Sequence, residues 1–125
     1  MIVMRTNSKK PSKQRKALAN APLHLRQKLT SVHLSPGLRK QMGRRSFPVR
    51  KGDEVKVMCG KHKGAAGKVE SVDLKRLKIY VENVKAKKVS GKDATIPFHP
   101  SKLMITNVIM EDKERKAAAE RPQKK

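Results

Sequence analysis

Two short β-type runs joined by a basic, glycine-rich turn fill residues 51–73, KGDEVKVMCGKHKGAAGKVESVD. No other stretch constrains the fold as tightly. Val55, Val57 and Cys59 alternate with Lys56 and Met58, so the first run has one apolar face. That alternation places Cys59 in a buried strand position, an inert thiol rather than a reactive one. Gly60, Gly64 and Gly67 are interleaved with Lys61, His62, Lys63 and Lys68. Glycine supplies the positive φ of tight turns and lets backbones approach closely. In the second run, the spacing of Val69 and Val72 breaks strict alternation and predicts a β-bulge or a sharp bend there.

The residues Gly52-Asp53-Glu54-Val55, Gly60-Lys61-His62-Lys63-Gly64 and Gly67-Lys68-Val69 resemble a KOW motif. That resemblance implies an SH3-like barrel that contacts RNA or protein.

The chain has 125 residues, room for one domain with tails. Its formal charge is +22, from 32 Lys and Arg against 10 Asp and Glu. An isolated small domain with that charge repels itself, so a polyanionic partner is implied. Nucleic acid leads and a membrane surface comes second. The aromatics are Phe47, Phe98 and Tyr80, so the core must come from Val, Ile, Leu and Met. So few rings also argue against single-strand binding by serial base stacking. One cysteine excludes a disulfide within the chain and a cysteine-based zinc cluster. No run approaches a membrane span, and the first four residues are too short for a signal-peptide apolar region.

Residues 1–50 contain thirteen Lys or Arg and no acid. The first part, with Lys9, Lys10, Lys13, Arg15 and Lys16, lacks apolar periodicity and is expected to be disordered until a partner orders it. A nuclear import signal is one further reading of this cluster. A mitochondrial transit peptide is the weaker alternative, because Pro11 and Pro22 interrupt the run. Pro22 then opens a short helix with Leu23, Leu25 and Leu29 apolar and with Arg26 and Lys28 exposed. Ser35-Pro36 opens a second, with Leu38 and Met42 on one face and Gly43 as its stop. Arg44, Arg45, Arg50 and Lys51 then lie on an extended segment leading into the barrel.

After the hairpin, Leu77, Ile79 and Val81 alternate with Lys78, Tyr80 and Glu82, as in a half-buried strand. Residues 84–89 read as another strand, made basic by Lys85, Lys87 and Lys88, and residues 90–93 as a turn. Thr95-Ile96 is extended and stopped by Pro97; Leu103 and Ile105 close the sheet. Five or six short strands with tight turns suit a small barrel. Residues 111–120 read as a helix with Glu111–Arg115 and Asp112–Lys116 pairs, projecting into solvent or lying along RNA.

The extension also carries a resemblance. Asn20-Ala21-Pro22, Leu34-Ser35, Leu38-Arg39, Arg44-Arg45-Ser46, Pro48-Val49-Arg50-Lys51 and His99-Pro100-Ser101-Lys102 are arranged as in one family. It is the KOW-bearing ribosomal protein of the large subunit, number twenty-four in the bacterial series and twenty-six in the eukaryotic. Having this extension, the chain is similar to the archaeal and eukaryotic form. The resemblance implies binding to the 5′ region of large-subunit rRNA near the peptide tunnel exit and a role early in subunit assembly. Its implied partners are that RNA and neighbouring ribosomal proteins. Its implied place is the cytoplasmic ribosome, with assembly in the nucleolus in a eukaryotic cell.

No constellation points to catalysis. The glycine-rich loop resembles a phosphate-binding P-loop only in Gly67-Lys68: Val69 stands where Ser or Thr should hold magnesium, and His62 where the first glycine belongs. His24, His33, His62 and His99 lack metal-ligand spacing. Asp53-Glu54 reads as turn chemistry and local charge balance, with a magnesium site shared with RNA as the sharper alternative.

The fold expected is mainly β: a small SH3-like barrel (51–110) with a basic tail (1–20), an extension of two short helices (21–50) and a short C-terminal helix with its tail (111–125). The expected function is structural rRNA binding without catalysis, cofactor, metal, membrane or small-molecule substrate. The RNA-facing residues expected are Arg44, Arg45, Arg50 and Lys51; Lys61, His62, Lys63 and Lys68; then Lys85, Lys87 and Lys88; and the cations of the tail. The alternative is a KOW transcription elongation or regulatory RNA-binding factor, for whose usual additional domain this length leaves no room. A peptide-binding adaptor is disfavoured by the shortage of aromatics for a groove.

Overall fold

The computed structural model describes residues 7–121. The first residues of the basic tail and the final lysines, expected to fray, lie outside that range.

Seven strands form one sheet in the order β2-β1-β7-β3-β4-β5-β6. They are β1 (Ser31–Leu34), β2 (Ser46–Pro48), β3 (Glu54–Val57), β4 (Ala66–Asp73), β5 (Lys78–Lys87), β6 (Asp93–Phe98) and β7 (Leu103–Asn107). Only β1 with β7 is parallel. Val32 and Leu34 from one end of the sheet share a buried cluster with Val84 and Phe98 from the other, so the sheet curls around a single core in barrel fashion. Ile79, Val81, Leu103 and Ile105 at its centre are fully buried, each worth about 1.5–3 kcal/mol of transfer free energy. The predicted bulge is present: the β4–β5 register shifts between Val69 and Ser71. There Gly67 is required, because a Cβ on it would stand 2.9 Å from Val81 Cγ1.

The extension is more than two helices. Helices α2 (Leu23–Leu29) and α3 (Pro36–Met42) form where Pro22 and Pro36 predicted them, and Gly43 ends α3 at φ +59°. Between and after them run β1 and β2, which contribute Val32, Leu34 and Phe47 to the core, with Val49 following just after β2. In the apolar set of α2, only Leu25 is buried. Where disorder was expected, α1 (Pro11–Ala19) is helical, although none of its residues is buried. The reason is local: Pro11 sits in the first turn, and the Lys, Gln, Arg, Ala and Leu residues after it are strong helix formers.

Several local expectations need correction. Cys59 is exposed, because β3 ends at Val57 and the chain bends before the alternation reaches it. Leu77 is not in a strand but in the β4–β5 turn, at φ +55°. Residues 84–87 continue β5 rather than start a new strand, with the β5–β6 register broken between Tyr80 and Lys85. Pro97 lies inside β6 without ending it, since β6 is an edge strand, where proline is tolerated.

Candidate nucleic-acid interface

The charges divide by residue type. Among the described residues, all ion pairs are made by arginine: Arg50–Asp112, Arg76–Asp73 and Arg115–Asp53. No lysine ammonium there has a hydrogen bond or ion pair within the protein.

The arginine contacts build a seam between the lead-in to the barrel and α4 (Lys113–Glu120). Gly52, at φ +92°, turns the chain so that Asp53 points inward and is fully buried. Asp53 Oδ2 accepts the Arg50 N–H at 2.8 Å, and Oδ1 accepts the Ile109 N–H at 3.2 Å. Arg115 grips both oxygens, Nη1 at 2.9 Å and Nη2 at 2.5 Å. Nη1 and Nη2 also donate to the Ile109 and Pro48 carbonyls, Nε is buried without a partner among the described residues, and the head lies 5.3 Å over the Phe47 ring. Neither Arg115 nor Asp53 was legible as a pair, for they stand 62 residues apart. The magnesium reading of Asp53 is thereby corrected: both oxygens are occupied by protein donors in a buried site. Among the described residues, no cluster of three His, Cys, Asp or Glu could hold a metal.

Asp112, read as a partner of Lys116, instead caps α4 by accepting the Glu114 N–H and pairs with Arg50. The hydrogen bond from Arg50, helped by that N–H, holds its carboxyl below the usual carboxylate range. Arg44 donates to the Ala119 and Arg121 carbonyls at 3.2 and 2.7 Å. Arg26, expected to be exposed, is half-buried and ties three segments by donating to the Ala19, Ala21 and Lys75 carbonyls. Two of the expected RNA-facing arginines, Arg44 and Arg50, therefore also hold the protein together, whereas Arg45 is exposed.

The lysines lie elsewhere. Lys51 is exposed on the turn before β3. Lys61 and Lys63 stand exposed on the β3–β4 turn, and Lys68 on β4 opposite Glu54. His62 is half-buried, its ring edge-on to Phe98 at 6.3 Å, so part of its surface serves packing. Lys85 and Lys87 share one face of β5 in an arm that continues past the last buried residue, Val84. Lys88 follows at its tip, where Gly91 makes the turn at φ +79°. No residue between Val84 and Phe98 is buried. Lys9, Lys10, Lys13, Arg15 and Lys16 are all exposed on or beside α1. The expected cations thus fall into four sets: the α1 face, the lead-in to the barrel, the glycine-rich turn with Lys68, and the β5–β6 arm.

Among the described residues, no helix is long and apolar enough to cross a membrane. The segment after Lys68 is strand rather than helix, so it lacks the helix N-terminus a P-loop uses. The seam arginines end on protein oxygens, whereas the lysine ammoniums are without protein partners among the described residues. In agreement with this, the family of ribosomal proteins that comprises eukaryotic L26 and its archaeal L24 counterpart matches residues 8–122. The chain belongs to that family and is a structural protein of the large ribosomal subunit.

Proposed function

We propose that this protein binds the 5′ region of the large-subunit rRNA near the peptide tunnel exit and supports subunit assembly through phosphate contacts, without catalysis. The observation that carries this reading is the set of unpaired lysine ammoniums spread over several elements. Each can neutralise phosphate and release counterions, which gives affinity without reading sequence. These sets, spread over the barrel and its N-terminal extension, suit a clamp that draws RNA helices together as the subunit compacts. In a eukaryotic cell this assembly would take place in the nucleolus, before residence on cytoplasmic ribosomes. Lys51, Lys61, Lys63, Lys68, Lys85, Lys87, Lys88 and the α1 cations are the contacts proposed, with Arg45 beside them.

Sucrose-gradient sedimentation of a cell extract through a high-salt wash tests this. Retention in the large-subunit peak, with ultraviolet crosslinks to the 5′ region of the rRNA, is expected. Release to the top of the gradient would mean a loosely held factor and overturn the reading.

A further inference from the structure

Between α4 and the strands β1 and β2 runs a groove of about 710 Å³. Lys28, Arg44, Arg50 and Arg121 line it, with Phe47 in its floor and Glu114 as its acidic residue. The helix shows it Glu114, Ala117 and Ala118, at the i, i+3, i+4 spacing, and Arg121 lines it just past the helix end. The small alanines leave the room, and Lys113 and Lys116 fall outside it.

We infer that this groove is a further RNA site, taking one run of phosphodiester backbone along its cationic walls. The inference rests on the rRNA reading above and adds Lys28 and Arg121 to the contacts. Five basic residues line it against one carboxylate; Arg115 is paired with Asp53 and Arg50 with Asp112, while Lys28, Arg44 and Arg121 carry no ion pair among the described residues, so an anionic occupant is favoured. The bonds from Arg44 to the Ala119 and Arg121 carbonyls and from Arg50 to Asp112 fix both guanidinium heads before any ligand arrives. Those bonds leave Nη1 of Arg44 and Nη2 of Arg50 without a protein partner among the described residues. The side chains of Lys28 and Arg121 have none either. Such pre-oriented planar donors suit phosphate oxygens, and a guanidinium is the stronger choice for bidentate phosphate recognition. A protein segment would need acidic side chains in register with these cations, whereas a nucleic-acid backbone presents phosphate regularly.

The test uses the full chain and a transcript of the 5′ region of large-subunit rRNA, with affinity followed against salt. Lys28→Gln with Arg121→Gln should flatten the log–log salt slope by about two, one per lost phosphate contact. Lys113→Gln with Lys116→Gln makes the same charge change on the other face of α4 and should flatten it far less. Glu114→Gln should tighten binding, because it removes the repelling carboxylate. Equal slopes for the two double variants, with wild-type binding intact, would overturn the groove and leave the rRNA reading standing. A wild-type chain that does not bind the transcript would overturn that reading and the groove with it. A groove variant that keeps its RNA slope but loses binding to a hexaglutamate peptide would assign the groove to a protein partner and overturn the proposal.

Discussion

In the seam where residues 44–53 meet residues 109–121, Arg44, Arg50 and Arg115 each end on an oxygen of the protein. In the two lysine-bearing hairpins, around residues 58–68 and 85–92, no ammonium does. Both regions are cationic, and the difference follows from the side chains. A guanidinium is weakly hydrated and offers a rigid fork, so it can be buried against a carboxylate such as Asp53. An ammonium is strongly hydrated and stays in water until a phosphate replaces part of its shell. Arginine thus gives this small fold some of the cohesion that its few aromatics cannot supply, while lysine remains available to RNA.

The sharpest way to break this comparison is Arg115→Ala. It leaves Asp53 charged and buried without its partner, and should cost roughly 3–5 kcal/mol in urea unfolding. Arg115→Lys should recover little, since a point charge cannot reproduce the two-pronged contact. A loss under about 1 kcal/mol would mean the seam contributes little to stability.

The opposite outcome is expected on the other side. Changing Lys61, Lys63 and Lys68 together to Gln should leave the urea midpoint within about 0.5 kcal/mol of wild type. The same variant should flatten the salt slope of rRNA binding by roughly two to three. A lowered midpoint would show that these lysines hold the hairpin rather than RNA.

Gly52→Ala probes the seam from its backbone. The residue sits at φ +92°, and a Cβ there would lie 2.9 Å from Ile109 Cδ1. Strain of about 1–3 kcal/mol is expected, read as a lower thermal midpoint.

The smallest effect concerns pH. The Arg50 hydrogen bond lowers the pKa of Asp112 from its ordinary 3.8. A depressed carboxylate contributes stability above its unfolded value, and that contribution disappears as pH falls through the folded value. Wild type should therefore lose slightly more stability than Asp112→Asn between pH 5 and pH 3, by thermal melting. Equal losses would remove Asp112 from the seam.

What the sequence disclosed was local. The hairpin of residues 51–73, the bulge after Val69, the stop at Gly43 and the burial of Ile79 and Val81 follow from alternation and glycine chemistry within a few residues. What stayed hidden was non-local. The run Ser31–Leu34 is too short to announce a strand, and it is ordered by parallel pairing with β7, far along the chain. The pairing of Asp53 with Arg115 has no local signature, and each residue had a plausible nearer partner in sequence. Cys59 misled because alternation carries no mark of where a strand ends. The candidate site was legible as a set of cations; which of them are also occupied in holding the fold required the three-dimensional contacts.

Lysine acylation followed by mass spectrometry, on the free protein and on intact large subunits, tests the central claim most directly. Lys61, Lys63, Lys68, Lys85, Lys87 and Lys88 should react readily in the free protein, as exposed and unpaired side chains do. On the subunit they should be protected, and digesting the rRNA should restore their reactivity. Equal modification of these lysines in the free and assembled states would contradict the account, because the unpaired ammoniums would then face water rather than phosphate.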